Sequence, residues 1–201
     1  MLFTNNYKVV QKNSKGYYLE KNSKFISYCF RISSEFEVKE RIKEIKKKEK
    51  SANHYCYAFV LNPDKSSQKH FDDGEPSSSA GKPILNQINI HDLTNILIIV
   101  VRYFGGRKLG INGLIRSYKN AAKNAIENTT ILKKEILEKY EVNFEFNKLS
   151  NVMTIIKKND ITIINKNIKN NCNLQLSIKK ASYNQIFNDF KKNKIILKYI
   201  K

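Results

Sequence analysis

One segment of the chain, residues 95–126, concentrates the residue types that bind anions. It contains six basic residues and no acidic one, and it holds three of the five arginines in the chain. Elsewhere the chain relies on lysine, whereas arginine supplies the planar fork that grips a phosphate or a carboxylate. An apolar run ends at Gly105-Gly106, and Gly110 precedes a helical pattern. Because a helix N-terminus offers free N–H groups and the positive end of a dipole, this strand-turn-helix predicts an anion site.

Two aromatic residues, Tyr103 and Phe104, stand beside the glycine turn, where their rings can stack on bases. We therefore predict a nucleic-acid-binding site made of Arg102, Tyr103, Phe104, Gly105, Gly106, Arg107, Lys108, Gly110, Arg116, Lys119 and Lys123. The alternative interpretation is that Arg102 pairs with a nearby carboxylate and that the glycines only permit a tight turn.

A second candidate site is an acidic loop that carries three carboxylates within four residues, with a histidine on a nearby predicted strand. Its residues are His54, Asp72, Asp73, Gly74, Glu75, Pro76 and Gly81. Such a group can hold Mg²⁺ or supply an acid–base pair, as in a metal-dependent hydrolase. The alternative is a loop that caps backbone groups or neutralises Arg102 and Arg107. The serines that follow have no obvious His–Asp relay, so we predict no catalytic residue.

Motifs for cofactors and metals are missing from the sequence. Gly81-Lys82 is followed by Pro83 rather than by Ser or Thr, which excludes a Walker phosphate loop, and no GxGxxG occurs. The three cysteines form no CxxC pair, so we expect buried thiols that act as small hydrophobic residues in a reducing compartment. We predict neither a cofactor nor a metal site.

The composition favours a polyanionic partner. The chain has 201 residues, a formal charge of +19 and a pI of about 9.7, and a basic surface attracts nucleic acid. The high content of Lys and Asn also indicates that part of this charge lies on solvated surfaces and has no specific partner. With 41% hydrophobic and 27% charged residues, the chain is neither a disordered polyelectrolyte nor a membrane protein. No export signal is visible at the N-terminus, so we expect a cytoplasmic protein.

The elements that position these residues follow an α+β pattern in the first 130 residues. Strands are predicted over residues 17–20, 24–30, 54–61 and 96–104, and helices over 33–50, 84–90 and 111–127. Residues 62–83 are predicted to form a loop. Asn128-Thr129-Thr130 interrupts the pattern, so we divide the chain into domains 1–130 and 131–201.

The tail alternates strands and helices in the order β-α-β-β-α-β, which is the ferredoxin-like pattern. The predicted elements cover residues 135–146, 149–158, 161–168, 173–179, 181–192 and 194–200. The fold class is therefore α+β in both domains.

The motifs described above resemble the signature of the IMPACT/YigZ family over roughly residues 15–128. The matching residues are Ser23-Lys24-Phe25-Ile26, His54-Tyr55-Cys56-Tyr57-Ala58, Asp72-Asp73-Gly74-Glu75-Pro76-Ser77, Gly81 to Leu85, Ile88, Leu93, Ile99-Val100, Arg102 to Gly110, Gly113-Leu114 and Tyr118. Two departures stand out, because Asn112 replaces a frequent glycine and His70-Phe71 precedes the acidic run where small residues are more usual.

This resemblance implies a first domain like domain 2 of ribosomal protein S5 and a tail like the last domain of elongation factor G. It also implies a role in translation, since eukaryotic members restrain the amino-acid-starvation kinase of initiation factor two by competing for its activator. The separate N-terminal domain of those members is absent from this sequence, so we expect the bacterial architecture and a different role.

Our leading hypothesis is a non-enzymatic, translation-associated regulatory protein that binds RNA or a ribosome-associated protein through the basic glycine turn. The alternatives are a metal-dependent hydrolase that uses Asp72, Asp73, Glu75 and His54, and a pure protein-interaction module. We expect no membrane partner and no small-molecule cofactor.

Overall fold

The chain is described over residues 5–200 by a computed structural model, and it divides into two units. One unit spans Tyr7–Lys134, and the other runs from residue 135 onward and also takes in residues 5 and 6. The architecture is mixed α/β, in agreement with the predicted α+β class. Within residues 5–200, no helix combines the length and the apolar character needed to cross a membrane.

The first part of the chain builds a five-stranded antiparallel sheet with helices on both faces. The strands in this part of the chain are β1 (Asn6–Val10), β2 (Ser14–Glu20), β3 (Ser23–Arg31), β4 (His54–Leu61), β5 (Ser67–Phe71), β6 (Ile96–Tyr103) and β7 (Ile131–Glu135). Its helices are α1 (Glu35–Lys48), α2 (Gly81–Ile90) and α3 (Gly110–Glu127). The sheet order is β2-β3-β6-β4-β5, and β1 pairs with β7 in a separate two-stranded sheet.

Strand β6 lies at the centre of this sheet and contributes to two hydrophobic cores. Ile98 and Val100 belong to the core that includes α2 and α3, whereas Ile99 and Val101 belong to the core that includes α1. Successive side chains of a strand point to opposite faces, and here both faces are covered. For this reason the strand reads as one continuous apolar run in the sequence.

The prediction of a loop over residues 62–83 is wrong in two places. Residues 67–71 form β5, and α2 begins at Gly81 rather than at residue 84. Strand β5 pairs with β4 at the edge of the sheet and is largely exposed, so it lacks the apolar alternation that identifies a strand. Helix α2 starts early because Pro83 in its first turn needs no intrahelical N–H partner. Strands β1 and β7 are likewise absent from the sequence prediction.

The second unit contains a four-stranded antiparallel sheet in the order β11-β8-β10-β9. Its elements are β8 (Leu137–Glu145), α4 (Leu149–Lys158), β9 (Thr162–Asn167), β10 (Asn171–Lys179), α5 (Tyr183–Lys192) and β11 (Leu197–Ile200). Leu174 and Leu176 of β10 are fully buried in a core that includes Ile155 of α4 and Phe190 of α5. Their alternation with partly exposed residues leaves the other sheet face polar.

The buried thiol of Cys29 makes the free energy of unfolding depend on pH in the alkaline range. Burial raises the pKa of Cys29 from 9 to about 12, so between these values the unfolded chain loses a proton that the folded chain retains. One such thiol lowers the free energy of unfolding by about 1.4 kcal/mol per pH unit in this interval. We expect urea unfolding of Cys29→Ala, measured from pH 8 to 11, to show a shallower decline than the parent chain. Equal slopes would contradict this assignment.

Candidate functional site

A buried ion pair connects the acidic loop to strand β6. Arg102 Nη1 donates a hydrogen bond to Glu75 Oε1 over 2.7 Å, and the Tyr118 hydroxyl donates to the same oxygen over 2.7 Å. Arg102 is only 6% exposed, and Tyr118 is fully buried. Burial raises the pKa of Tyr118 well above its ordinary value, so this phenol acts as a hydrogen-bond donor rather than as a base.

The sequence prediction places Arg102 among the nucleic-acid-binding residues, with pairing to a nearby carboxylate as the alternative. In the structure it pairs with Glu75. Two phenylalanines, Phe25 and Phe104, lie beside the guanidinium, with their ring centroids 5.6 and 5.5 Å from Cζ. The Nε atom of Arg102 is buried and has no hydrogen-bond partner among the described residues. An unpaired buried donor of this kind carries a free-energy penalty of about 1–3 kcal/mol.

His54, at the start of β4, lies next to this ion pair. Its Nδ1 atom is 2.8 Å from the carbonyl oxygen of Asp73. Because a carbonyl oxygen can only accept, Nδ1 is protonated and donates a hydrogen bond to it. Its Nε2 atom is 3.9 Å from Glu75 Oε1. On the same strand, the Cys56 thiol donates to the carbonyl oxygen of Asp72, and burial raises its pKa, so it is no nucleophile.

Two of the three carboxylates of the acidic loop, those of Asp72 and Asp73, accept hydrogen bonds from backbone N–H groups. Asp72 accepts hydrogen bonds from the backbone of Ser78, Ala80 and Gly81 at 2.9, 3.0 and 2.7 Å, which satisfies the N-terminus of α2. Asp73 Oδ2 accepts from the backbone N–H of Tyr55 at 2.7 Å. Across residues 5–200, no group of three or more His, Cys, Asp or Glu residues is arranged to hold a metal ion. The loop therefore has the contacts of the capping alternative.

The other predicted loop residues have structural contacts. Gly74 adopts a positive φ of 86° beside the ring of His54, and Pro76 lines a cleft described below. Gly81 is packed so closely against the backbone of Phe71 that a β-carbon would approach it to 2.6 Å.

The glycine turn between β6 and α3 combines close packing with open backbone. A β-carbon on Gly105 would come within 2.1 Å of the Asn22 backbone, and the Gly105 N–H donates to Ser23 Oγ over 3.1 Å. Gly106 and Gly110 have positive φ values of 83° and 71°, and no described atom from outside the turn and the first turns of α3 lies within 4 Å of the position that a β-carbon would occupy. Gly105 is thus required for packing, whereas the other two allow a left-handed backbone next to open space.

A cleft of about 450 Å³ lies between this turn and the acidic loop. Its lining residues are Asn53, His54, Glu75, Pro76, Arg102, Phe104, Lys108, Leu109, Gly110, Ile111 and Leu114. Helix α3 begins at the cleft with no side-chain cap and no acidic residue in its first turn. The first N–H groups of this helix therefore remain available to an anion.

The structure separates the predicted basic and aromatic residues into groups. Phe104 lines the cleft, whereas Tyr103 packs with the core that includes α1 and donates its hydroxyl to Glu49 over 2.6 Å. Along α3, Arg116 pairs with Glu20 and Lys123 with Glu127. The exposed members without an ion pair among the described residues are Arg107, Lys108 and Lys119.

Sequence reasoning missed several residues of this site. Asn53 lies at the cleft wall, and its Oδ1 accepts the backbone N–H of Phe104 over 2.8 Å. The sequence places Tyr118 only on the buried face of a helix, but its hydroxyl is also part of the ion-pair network. Helical periodicity identifies the buried face but cannot show which hydroxyl reaches a carboxylate 43 residues away.

The segment that contains these residues is similar in sequence to known proteins. A profile of the Impact N-terminal domain family matches residues 21–126. The chain is 32% identical over 141 residues to the IMPACT family member YvyE of Bacillus subtilis (strain 168), a match that covers 70% of this chain and 65% of that protein. It is 33% identical over 147 residues to the IMPACT family member YigZ of Escherichia coli (strain K12), covering 72% of each. The crystal structure of a hypothetical protein superposes with a TM-score of 0.75 and 26% identity, covering 99% of both chains.

Alanine at the two adjacent glycines separates packing from backbone conformation. Gly105→Ala should lower the free energy of unfolding by about 3 kcal/mol, because its β-carbon meets backbone atoms that cannot rotate away. Gly106→Ala should cost about 1 kcal/mol, which is the strain of a left-handed residue alone. Urea unfolding of both variants measures the difference. A larger loss at Gly106 would show that the turn is packed differently.

Asp72→Asn tests whether the acidic loop is structural. In this variant an NH2 group replaces one carboxylate oxygen and faces a backbone N–H donor with which it cannot form a hydrogen bond. We therefore expect the free energy of unfolding to fall by about 1–3 kcal/mol. Asp64→Asn is a matched control, since Asp64 Oδ1 accepts the Ser66 N–H and the amide oxygen of asparagine can replace it there. Calorimetry with Mg²⁺ or Mn²⁺ should give no difference between parent and variant. A micromolar metal site that disappears in Asp72→Asn would support the hydrolase instead.

Proposed function

Because the chain belongs to the IMPACT family, we propose that it is a non-enzymatic, translation-associated regulatory protein that binds RNA through the turn between β6 and α3. The observation that carries this proposal is the rim of the cleft. There Lys108 lines the cleft, and it and its chain neighbour Arg107 are exposed and lack a carboxylate partner among the described residues, beside the uncapped start of α3. Unpaired cations next to free N–H groups favour phosphate oxygens.

The exposed aromatic ring of Phe104 supports RNA rather than a small anion alone. This side chain is 48% exposed and lies within the same cleft as Lys108. Proteins that bind single strands combine a basic groove with aromatic rings on which bases stack. In this proposal Arg102 acts by holding Phe104 and the acidic loop in place, and Arg107, Lys108 and Lys119 meet the phosphates.

A polypeptide is the second candidate partner, since three apolar side chains, Phe104, Ile111 and Ile115, are exposed on and before α3. A ribosome-associated protein that binds these residues would form a contact with little dependence on salt. RNA is favoured because residues 95–126 carry six basic side chains and no acidic one.

The proposal extends to the architecture and to the compartment. We assign residues 1–130 to a domain like domain 2 of ribosomal protein S5 and residues 131–201 to a ferredoxin-like domain. The sheet order β11-β8-β10-β9 supports the latter, because the first and third strands of a β-α-β-β-α-β unit lie at its centre. Three buried, unpaired cysteines support a reducing, cytoplasmic location.

The salt dependence of RNA binding tests the site. Each single-strand phosphate contact contributes a log–log slope of about −0.7, so Arg107→Ala/Lys108→Ala should flatten the slope by about 0.7–1.4. Filter binding or fluorescence anisotropy with a labelled single-stranded RNA measures the slope. Lys47→Ala on the exposed face of α1 is the control and should change it little. Binding that ignores salt, or an equal effect of Lys47→Ala, would overturn the proposal.

A further inference from the structure

The cleft beside α3 contains a buried donor with no partner among the described residues. Arg102 uses Nη1 to bind Glu75, whereas its Nε has no acceptor among the described residues. The side chain is only 7% exposed, so water does not readily reach Nε instead. Arg102 is one of the residues that line the cleft. Because an unpaired buried donor is unfavourable, an acceptor that reached Nε from the cleft would relieve this penalty.

A second observation comes from the rim, where the backbone at two glycines faces open space. Helix α3 has 18 residues, and its N-cap residue Leu109 provides no side-chain acceptor. At Gly106 and Gly110, no described atom from outside the turn and the first turns of α3 lies within 4 Å of where a β-carbon would lie. A phosphate can therefore approach the backbone closely at this end of the helix.

The third observation is the size and the lining of the cleft. Its volume of about 450 Å³ falls in the range of small-molecule sites, about 300–1,000 Å³. Phe104, Leu109 and Leu114 provide apolar surface, while Lys108 supplies a cation at the rim. An apolar wall, a polar floor and a cationic rim together fit a ligand with a flat ring at one end and an anion at the other.

We propose that this cleft binds one unpaired nucleotide of the RNA. The base stacks on Phe104 and offers an acceptor to Arg102 Nε, and the phosphate lies against Lys108 and the first N–H groups of α3. The inference rests on the proposed function and makes it more specific: the protein takes a single extruded or terminal nucleotide, and Arg107 and Lys119 contact the strand on either side without entering the cleft.

Isothermal titration of the 201-residue chain with adenosine 5′-monophosphate, adenosine and inorganic phosphate tests this proposal. The nucleotide should bind more tightly than either fragment. Phe104→Ala should weaken it by about fivefold or more, the effect of losing one base–aromatic stack. Lys108→Ala should also weaken nucleotide binding. Lys47→Ala, the same change on the exposed face of α1 and outside the cleft, should leave it unchanged, and melting by circular dichroism verifies that each variant folds.

The outcomes separate this inference from the proposed function. If RNA binds with the expected salt slope but the nucleotide does not bind at millimolar concentration, the cleft proposal fails and the RNA-binding function remains. Equal affinity for inorganic phosphate and for the nucleotide also overturns it, because Phe104 then contributes nothing. If neither RNA nor nucleotide binds, both proposals fail.

Discussion

The ion pair between Glu75 and Arg102 determines the arrangement of the first unit around its cleft. One carboxylate oxygen accepts hydrogen bonds from β6 through Arg102 and from α3 through Tyr118, and it lies close to His54 of β4. Removing these charges from water is costly, and deleting only one partner of such a buried pair typically costs about 3–5 kcal/mol. The acidic loop therefore has one favourable position, and the cleft wall that it forms is fixed relative to the helix.

Much of this arrangement could be predicted because its signals are local. Three of these signals are each carried by a short stretch of sequence: the apolar run of β6, the double glycine after it and the periodicity of α3. The structure contains all three features. The mixed α/β class and the family resemblance followed from the same segments. The pairing of Arg102 could not be chosen from sequence, since Glu75 lies 27 residues away and the basic segment around the arginine favoured a phosphate partner.

The elements that the sequence did not reveal share a physical property. Strand β5 is polar and exposed at an edge, and its hydrogen bonds to β4 rather than its side chains define it. The availability of each basic residue was equally hidden, because it depends on carboxylates that are distant in sequence. Arg116 meets Glu20 from β2, whereas Lys108 meets none among the described residues. Tertiary pairing thus selects which part of a strongly basic chain stays free.

Both edge strands of the five-stranded sheet make contacts that disfavour pairing with an additional strand. On β2, Asn124 and Asn128 donate side-chain hydrogen bonds to the carbonyl oxygens of Tyr17 and Lys15, which occupies acceptors that a foreign strand would need. On β5, Lys69 forms an ion pair with Glu35 that strand addition would have to remove from water. These contacts disfavour edge-to-edge association through the five-stranded sheet.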